Sequence, residues 1–447
     1  VGKLGIVDWR EDCSSCHNCV KRACIYGLYR DEADTLHDEV GYLDYIYQCK
    51  GCLNCIQDCT KNLLTRVVNP EYRRLGDAYY TPEIITTTWF QSETGRVPVS
   101  GSGYGGRFSG PGFDSMWTDM SEIVRPTRDG IHGREYINTS VDIGRKLPHL
   151  SFCDGQMTSN PPPLVEIPLP IIFDIMPQRW HVGPVVGAVA EVASKMGTLV
   201  VLEPPDITPG QSLDLAHVVP LLDSGDGAAY PWAPMVMVAD GPDGASRKAL
   251  KAANPDQVVA VRVQASPAAT ARIVELAGQG VEVVHLVFTE HGREFDAQHP
   301  RHMRDVLREA HRALVKAGLR DEVTLIASGG IALPEHTAKA IICGADLVAI
   351  DVPLAIALEC RLCLECERGE PCQVAMAEIP ADYAVHRMVN LIGAWHSQLL
   401  EVLGAMGIRE VRRLRGEVGR AMFFEDLERD SFGRLFGQRR QSQEVAP

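Results

Sequence analysis

The sequence predicts an α/β chain built on a (β/α)8 TIM-like barrel, preceded by a small cysteine-rich α+β module. Three observations point there. Between residues 171 and 351, eight short apolar runs alternate with helical patterns, and buried parallel strands read as continuous Val/Ile/Leu runs because helices cover both faces of the sheet. Twelve of the fourteen cysteines fall in three tight groups. At 447 residues and 45% hydrophobic content, the chain has room for two or three domains. A doubly wound sheet is the alternative to the barrel.

Charge and hydropathy narrow the function classes. A net charge of −14 and a pI near 5.5 argue against binding nucleic acid or an anionic membrane. The longest apolar candidate, Ala338 to Leu358, carries Lys339, Asp346, Asp351 and Pro353, so no membrane span is expected. The start Val1-Gly2-Lys3 lacks a signal-peptide core before Asp8 and Arg10. A cytoplasmic location follows as an expectation, and the cysteines read as reduced metal ligands. Cys153 and Cys343, outside the groups, are expected to be buried thiols.

Residues 1–70 carry the first two cysteine groups: Cys13, Cys16, Cys19 with Cys24, and Cys49, Cys52, Cys55 with Cys59. Each CxxCxxC loop supplies three thiolates to a cubane. In two-cluster ferredoxins the fourth ligand crosses to the other cluster. The spacing therefore predicts Cys13, Cys16, Cys19 and Cys59 on one 4Fe–4S centre, and Cys49, Cys52, Cys55 and Cys24 on the other. Zinc is the competing reading, but zinc knuckles use pairs of cysteines. The usual Cys-Pro closure is missing, since Ile25 and Thr60 follow the fourth cysteines.

Residues 71–165 read as a linker and an arm. The glycine run from Gly101 to Arg107 neither follows a strand nor opens a helix, so it is taken as flexible and not as a dinucleotide loop. Phe113 to Arg128 and then Arg134 to Arg145 read as a short amphipathic helix followed by an irregular arm.

The barrel is expected over residues 166–358. Its strands are Ile171–Ile175, Leu199–Glu203, Val218–Leu222, Met235–Ala239, Val258–Val263, Val281–Phe288, Val323–Ala327 and Asp346–Asp351. Helical patterns include Val185–Lys195, Ala245–Ala253, Ala268–Ala277, His302–Lys316 and Glu335–Ile342. Chemistry in such a barrel belongs at the carboxyl ends of the strands. The legible ends are Asp174, Glu203 to Asp206, Arg262, and Asp351. Glu290, His291 and Arg293 after the sixth strand form a candidate substrate cluster, with solvated loop charges as the competing reading. The Ser328-Gly329-Gly330 turn suits a phosphate.

Residues 359–447 begin with the third group, Cys360, Cys363, Cys366 and Cys372, directly after the eighth strand and a short helix, and so near the barrel rim. Tyr383–Met406 has the periodicity of a packed helix.

These features together resemble the large subunit of archaeal-type glutamate synthase, a ferredoxin-like module fused to an FMN-binding (β/α)8 domain. The resemblance rests on Phe113 to Gly144, on Ala317 to Gly330, on Gly344-Ala-Asp-Leu-Val348, and on the third cysteine group with Asn390 to Trp395. It implies FMN with its phosphate at Ser328, Gly329 and Gly330, clusters that pass electrons to it, and reduction of 2-iminoglutarate to glutamate. It also implies a 3Fe–4S centre on Cys360, Cys366 and Cys372, which Cys363 as a fourth thiol would convert to 4Fe–4S.

Departures are concentrated where the flavin and 2-oxoglutarate would bind. Phe173 to Pro177, Leu202 to Asp206 and Thr289 to Glu294 replace the family's glycine-rich loops, and Asp351-Val352 stands where a Gly-Thr would receive the flavin phosphate. An aspartate there repels a phosphate. Two readings follow: an iron–sulfur flavoenzyme making glutamate or a related amine, or an electron-transfer subunit whose barrel has lost FMN. A structural scaffold ranks last. The resemblance further implies a hetero-oligomer with a redox partner (a flavin/NAD(P)H subunit or a ferredoxin), and amidotransferase and glycine-repeat subunits on separate chains.

Overall fold

The computed structural model describes residues 4–6, 22–23, 53–60, 66–68, 70–97, 99–100, 103–104, 112–113, 116–118, 137–207, 213–222, 230–241, 245–370, 372, 374–416, 421–423, 426 and 428–437. Its centre is a closed barrel of eight parallel strands: β1 (Ile171–Phe173), β2 (Val200–Leu202), β3 (Val218–Leu222), β4 (Met235–Ala239), β5 (Val258–Gln264), β6 (Val283–Val287), β7 (Thr324–Ser328) and β8 (Leu347–Ile350). β1 closes the ring on β8, with Ile171, Ile172 and Phe173 opposite Val348, Ala349 and Ile350. Every expected strand is present, and the barrel stands over the doubly wound alternative.

Helices wrap the outside: α2 (Gly183–Met196), α3 (Ala245–Ala253), α4 (Ala269–Gly278), α5 (Met303–Lys316), α6 (Pro334–Cys343) and α7 (Val352–Ala357). Glycine in the left-handed region ends α2 at Gly197, where a side chain would be strained. The 26-residue α8 (Ala381–Met406) packs along α2, α6 and α7. All ten residues of α6 are buried because α5 and α8 flank it.

One helix was not legible. α1 (Pro82–Thr94) lies in the stretch read as linker and packs on α8. Its buried face includes Thr88, Gln91 and Ser92, so the apolar period that marks a helix is broken. The expected amphipathic helix after Phe113 is corrected: Met116–Thr118 is a strand, paired antiparallel with Ala421–Phe423. Cys343 is buried as expected, but Cys153 is exposed. It sits in a hairpin whose turn, Asp154-Gly155, has φ of 52° and 76°, the Asp-Gly signature of a two-residue hairpin.

Leu4–Ile6 pairs antiparallel with Arg66–Val68, which ties the two ends of the first cysteine module. Cys13, Cys16, Cys19, Cys24, Cys49 and Cys52 lie outside the described residues. Cys55 sits on the helical turn Asn54–Gln57, and Cys59 just after it.

Candidate functional site

The carboxyl ends of the strands bring one buried ionic network together. Asp174 follows β1 and Arg262 lies on β5; the guanidinium reaches both carboxylate oxygens, at 2.6 and 3.1 Å. His285, fully buried on β6, hydrogen-bonds Ser328 Oγ through Nε2 at 2.8 Å, and its Nδ1 lies 3.3 Å from the Met237 sulfur. Register places Arg262 directly opposite His285. Burial works to raise the Asp174 pKa, but Arg262 and His285 overcome it and hold the carboxyl well below the usual range. Burial, together with Arg262, pushes His285 down to about 3. Thus Asp174 is ionised and His285 neutral at physiological pH.

Asp351, after β8, accepts a hydrogen bond from Val352 N at 2.6 Å and caps α7. Burial first, and then the charge on Asp174, raise its pKa to about 7. The network therefore holds one fixed anion and one carboxyl that titrates near neutrality. This separation of two carboxyls by environment is how a site acquires a proton donor.

The three residues expected to form a substrate cluster do not converge. Glu290 is held by Arg179. His291 hydrogen-bonds Asp77 at 2.8 Å, which raises its pKa. The Arg293 guanidinium turns to the carbonyl of Pro300. Gly292, at φ 66°, redirects the chain between them. His285 was missed; its signal is a histidine midway along an otherwise apolar strand.

The Ser328-Gly329-Gly330 turn is occupied by protein. The Ser328 hydroxyl points into the barrel, to His285. Tyr79, from the segment before α1, donates its hydroxyl to the Gly330 carbonyl at 2.5 Å. A Cβ on Gly330 would lie 2.4 Å from Gly292 N, and one on Gly329 2.4 Å from the Phe288 carbonyl. The nearby Arg179 and Arg262 are both ion-paired to carboxylates. Asp351 at the next strand end would, when ionised, oppose the charge of a phosphate held at this turn.

The third cysteine group forms a different kind of site. Cys360, Cys363, Cys366 and Cys372 all line one cavity of about 280 Å³, together with Arg179, Trp180 and Met376. Burial pushes the Cys360 thiol up to about 11, and a Trp180 side-chain hydrogen bond pulls the other way. A tetrahedral zinc with Zn–S of about 2.3 Å would hold its sulfurs only about 3.8 Å apart. No three of these thiols lie within 4.8 Å of one another. A roomy cavity ringed by separated thiols fits an iron–sulfur core better than a single ion. Among the described residues, one group brings three ligand-type atoms within that distance: His181, Glu203 and Asp206. The His181–Asp206 hydrogen bond of 2.8 Å accounts for two of them.

Arg179 joins the two regions. It stacks over Trp180 and pairs with Glu290 on the β6 loop and Glu367 among the cysteines. The cavity is thus fastened to the barrel mouth.

Residues 248–409 match the family described as the conserved region in glutamate synthase. The archaeal-type glutamate synthase (NADPH) of Dehalococcoides mccartyi is 26% identical, over 92% of this chain and 93% of its own. The archaeal glutamate synthase (NADPH) of Archaeoglobus fulgidus is 24% identical, over 96% of each chain. That of Methanocaldococcus jannaschii is 39% identical over 23% of this chain and 22% of its own. The chain therefore resembles archaeal-type glutamate synthases over most of its length. Among solved structures, a flavocytochrome b2 mutant with pyruvate bound aligns at TM-score 0.41 and 15% identity, over 66% of this chain and 79% of that one, too loosely to assign any residue. No helix among the described residues is long and apolar enough to cross a membrane.

Proposed function

We propose that this chain is a glutamate-synthase-like iron–sulfur oxidoreductase subunit that relays electrons from a reducing partner, through its clusters, to an electron-accepting substrate bound at its barrel mouth. The observation that carries the reading is the cavity lined by the third cysteine group, fastened to the barrel through Arg179. Cys360, Cys366 and Cys372 would hold a cluster there, and the module of residues 1–70 would hold two more. When bound, such clusters supply one-electron transfer. Trp180 offers a hydrogen bond to the Cys360 sulfur, which favours the thiolate. At the barrel mouth, Arg262 keeps Asp174 ionised, and Asp351 holds a proton up to about pH 7. The reducing equivalents come from a partner protein, a flavin/NAD(P)H subunit or a ferredoxin. An amidotransferase and a glycine-repeat subunit would complete a hetero-oligomer.

A second reading, an FMN enzyme making glutamate, is favoured by the family match over residues 248–409. It requires the flavin phosphate to be held beside Asp351 or away from the turn that Tyr79 contacts. Flavin extraction from anaerobically purified protein decides between them. The proposed reading expects cluster absorbance without stoichiometric flavin. FMN at about one per chain, with 2-oxoglutarate-dependent oxidation of the reduced protein, would establish the second.

A further inference from the structure

We infer that Cys363 is a ligand, so that the barrel-side centre is a four-iron cluster where the resemblance implies a three-iron one. The inference rests on the proposed cluster site and concerns which of this chain's own thiols reach it. Cys363 lines the same cavity as Cys360, Cys366 and Cys372, and all four belong to one thirteen-residue stretch.

The backbone supplies an independent argument. Leu362 and Leu364, the two neighbours of Cys363, both adopt left-handed conformations, with φ of 50° and 58°. For a residue with a branched side chain each such conformation costs about 1–2 kcal/mol. Leu362 offsets its strain by burying its side chain, at 6% exposure, in the main core cluster. Leu364 does not: its side chain is 42% exposed. Cys363 sits between these two left-handed residues, half-buried, and lines the cavity with the other three thiols.

A 3Fe–4S core lacks the corner that a fourth thiolate would bind. Once the core has taken one electron from the reducing partner, a ferrous ion entering that corner would be bound by Cys363, whose thiol proton leaves to solvent, and the centre would close as 4Fe–4S.

The test uses the full chain, purified without oxygen and examined by electron paramagnetic resonance and iron analysis. Oxidised three-iron clusters are paramagnetic, and oxidised ferredoxin-type four-iron clusters are silent. The wild-type protein is expected to show no three-iron resonance. Cys363→Ala is expected to gain one, stoichiometric with the chain, with about one iron lost per chain. A stoichiometric three-iron resonance in the wild type, not replaced by a four-iron centre after incubation with ferrous iron and dithionite, overturns the inference. So does a Cys363→Ala protein with unchanged iron and spectrum. The wild-type spectrum decides the question even if the variant folds poorly. By contrast, wild-type protein with no iron–sulfur absorbance at all would refute the cluster site itself, a separate failure.

Discussion

Arg179 lies over the indole of Trp180, 4.1 Å from the ring centroid, while its guanidinium holds Glu290 on one side and Glu367 on the other. One side chain thereby clamps the β6 loop to the cysteine segment. Arg179→Met is expected to lower stability by about 1–2 kcal/mol through loss of the stacking and the two partly exposed ion pairs. Arg179→Lys should recover little of this, because an ammonium cannot stack and fork in the same geometry. Urea-unfolding midpoints of the three proteins measure it; full recovery in the lysine variant would contradict the clamp.

Asp174 and Arg262 form the most enclosed ion pair of the barrel mouth, with side chains 4% and 20% exposed. Arg262→Met leaves a buried carboxylate without its cation and should cost about 3–5 kcal/mol. Combining it with Asp174→Asn removes the uncompensated charge, so the double variant should be more stable than the single one. Additive losses in that cycle would show that the pair is not coupled.

The pH dependence of Asp351 runs opposite to that of Asp174. The Asp351 pKa is raised in the folded state to about 7. Its contribution is therefore fully present below the unfolded carboxyl value, about 3.9. It falls as pH rises toward and through 7, because the unfolded chain ionises more readily. Asp351→Asn keeps an acceptor for Val352 N without this penalty. The variant is expected to gain about 1–3 kcal/mol over wild type at pH 8, and clearly less at pH 5. Asp174, whose pKa is depressed, contributes stability above the unfolded value and loses it only as pH falls below about 4. Parallel urea titrations at the two pH values read the difference.

At the turn after β7, Gly330 has φ 71° and no room for a side chain. Gly330→Ala should cost more than about 2 kcal/mol, since it adds backbone strain to a collision with Gly292. Tyr79→Phe removes the hydroxyl that donates to the Gly330 carbonyl and lies 3.3 Å from His302 Nε2, and should cost about 1 kcal/mol. An alanine variant as stable as wild type would mean the turn has space to admit a ligand.

The barrel was legible because its strands are continuous apolar runs, and Asp174, Arg262 and Asp351 could be placed at strand ends for the same reason. Sequence adjacency does not carry the arrangement at Glu290, His291 and Arg293, where a glycine turn separates three neighbours that take three different partners. Tyr79 could not have been found: its hydrogen bond to Gly330 spans 251 positions, and nothing local marks it. α1 hid because its buried face carries polar residues. The third cysteine group was read from spacing alone, and the cavity shows why: all its thiols come from one short stretch, so local sequence carries the arrangement.

The cysteines beside the barrel are proposed to hold an iron–sulfur cluster. Iron and acid-labile sulfide in anaerobically purified wild-type protein and in Cys360→Ala test it most directly. The account predicts about twelve irons per chain in the wild type, and a loss of about four in the variant with the first module's clusters retained. Equal iron and sulfide in the two proteins would contradict it.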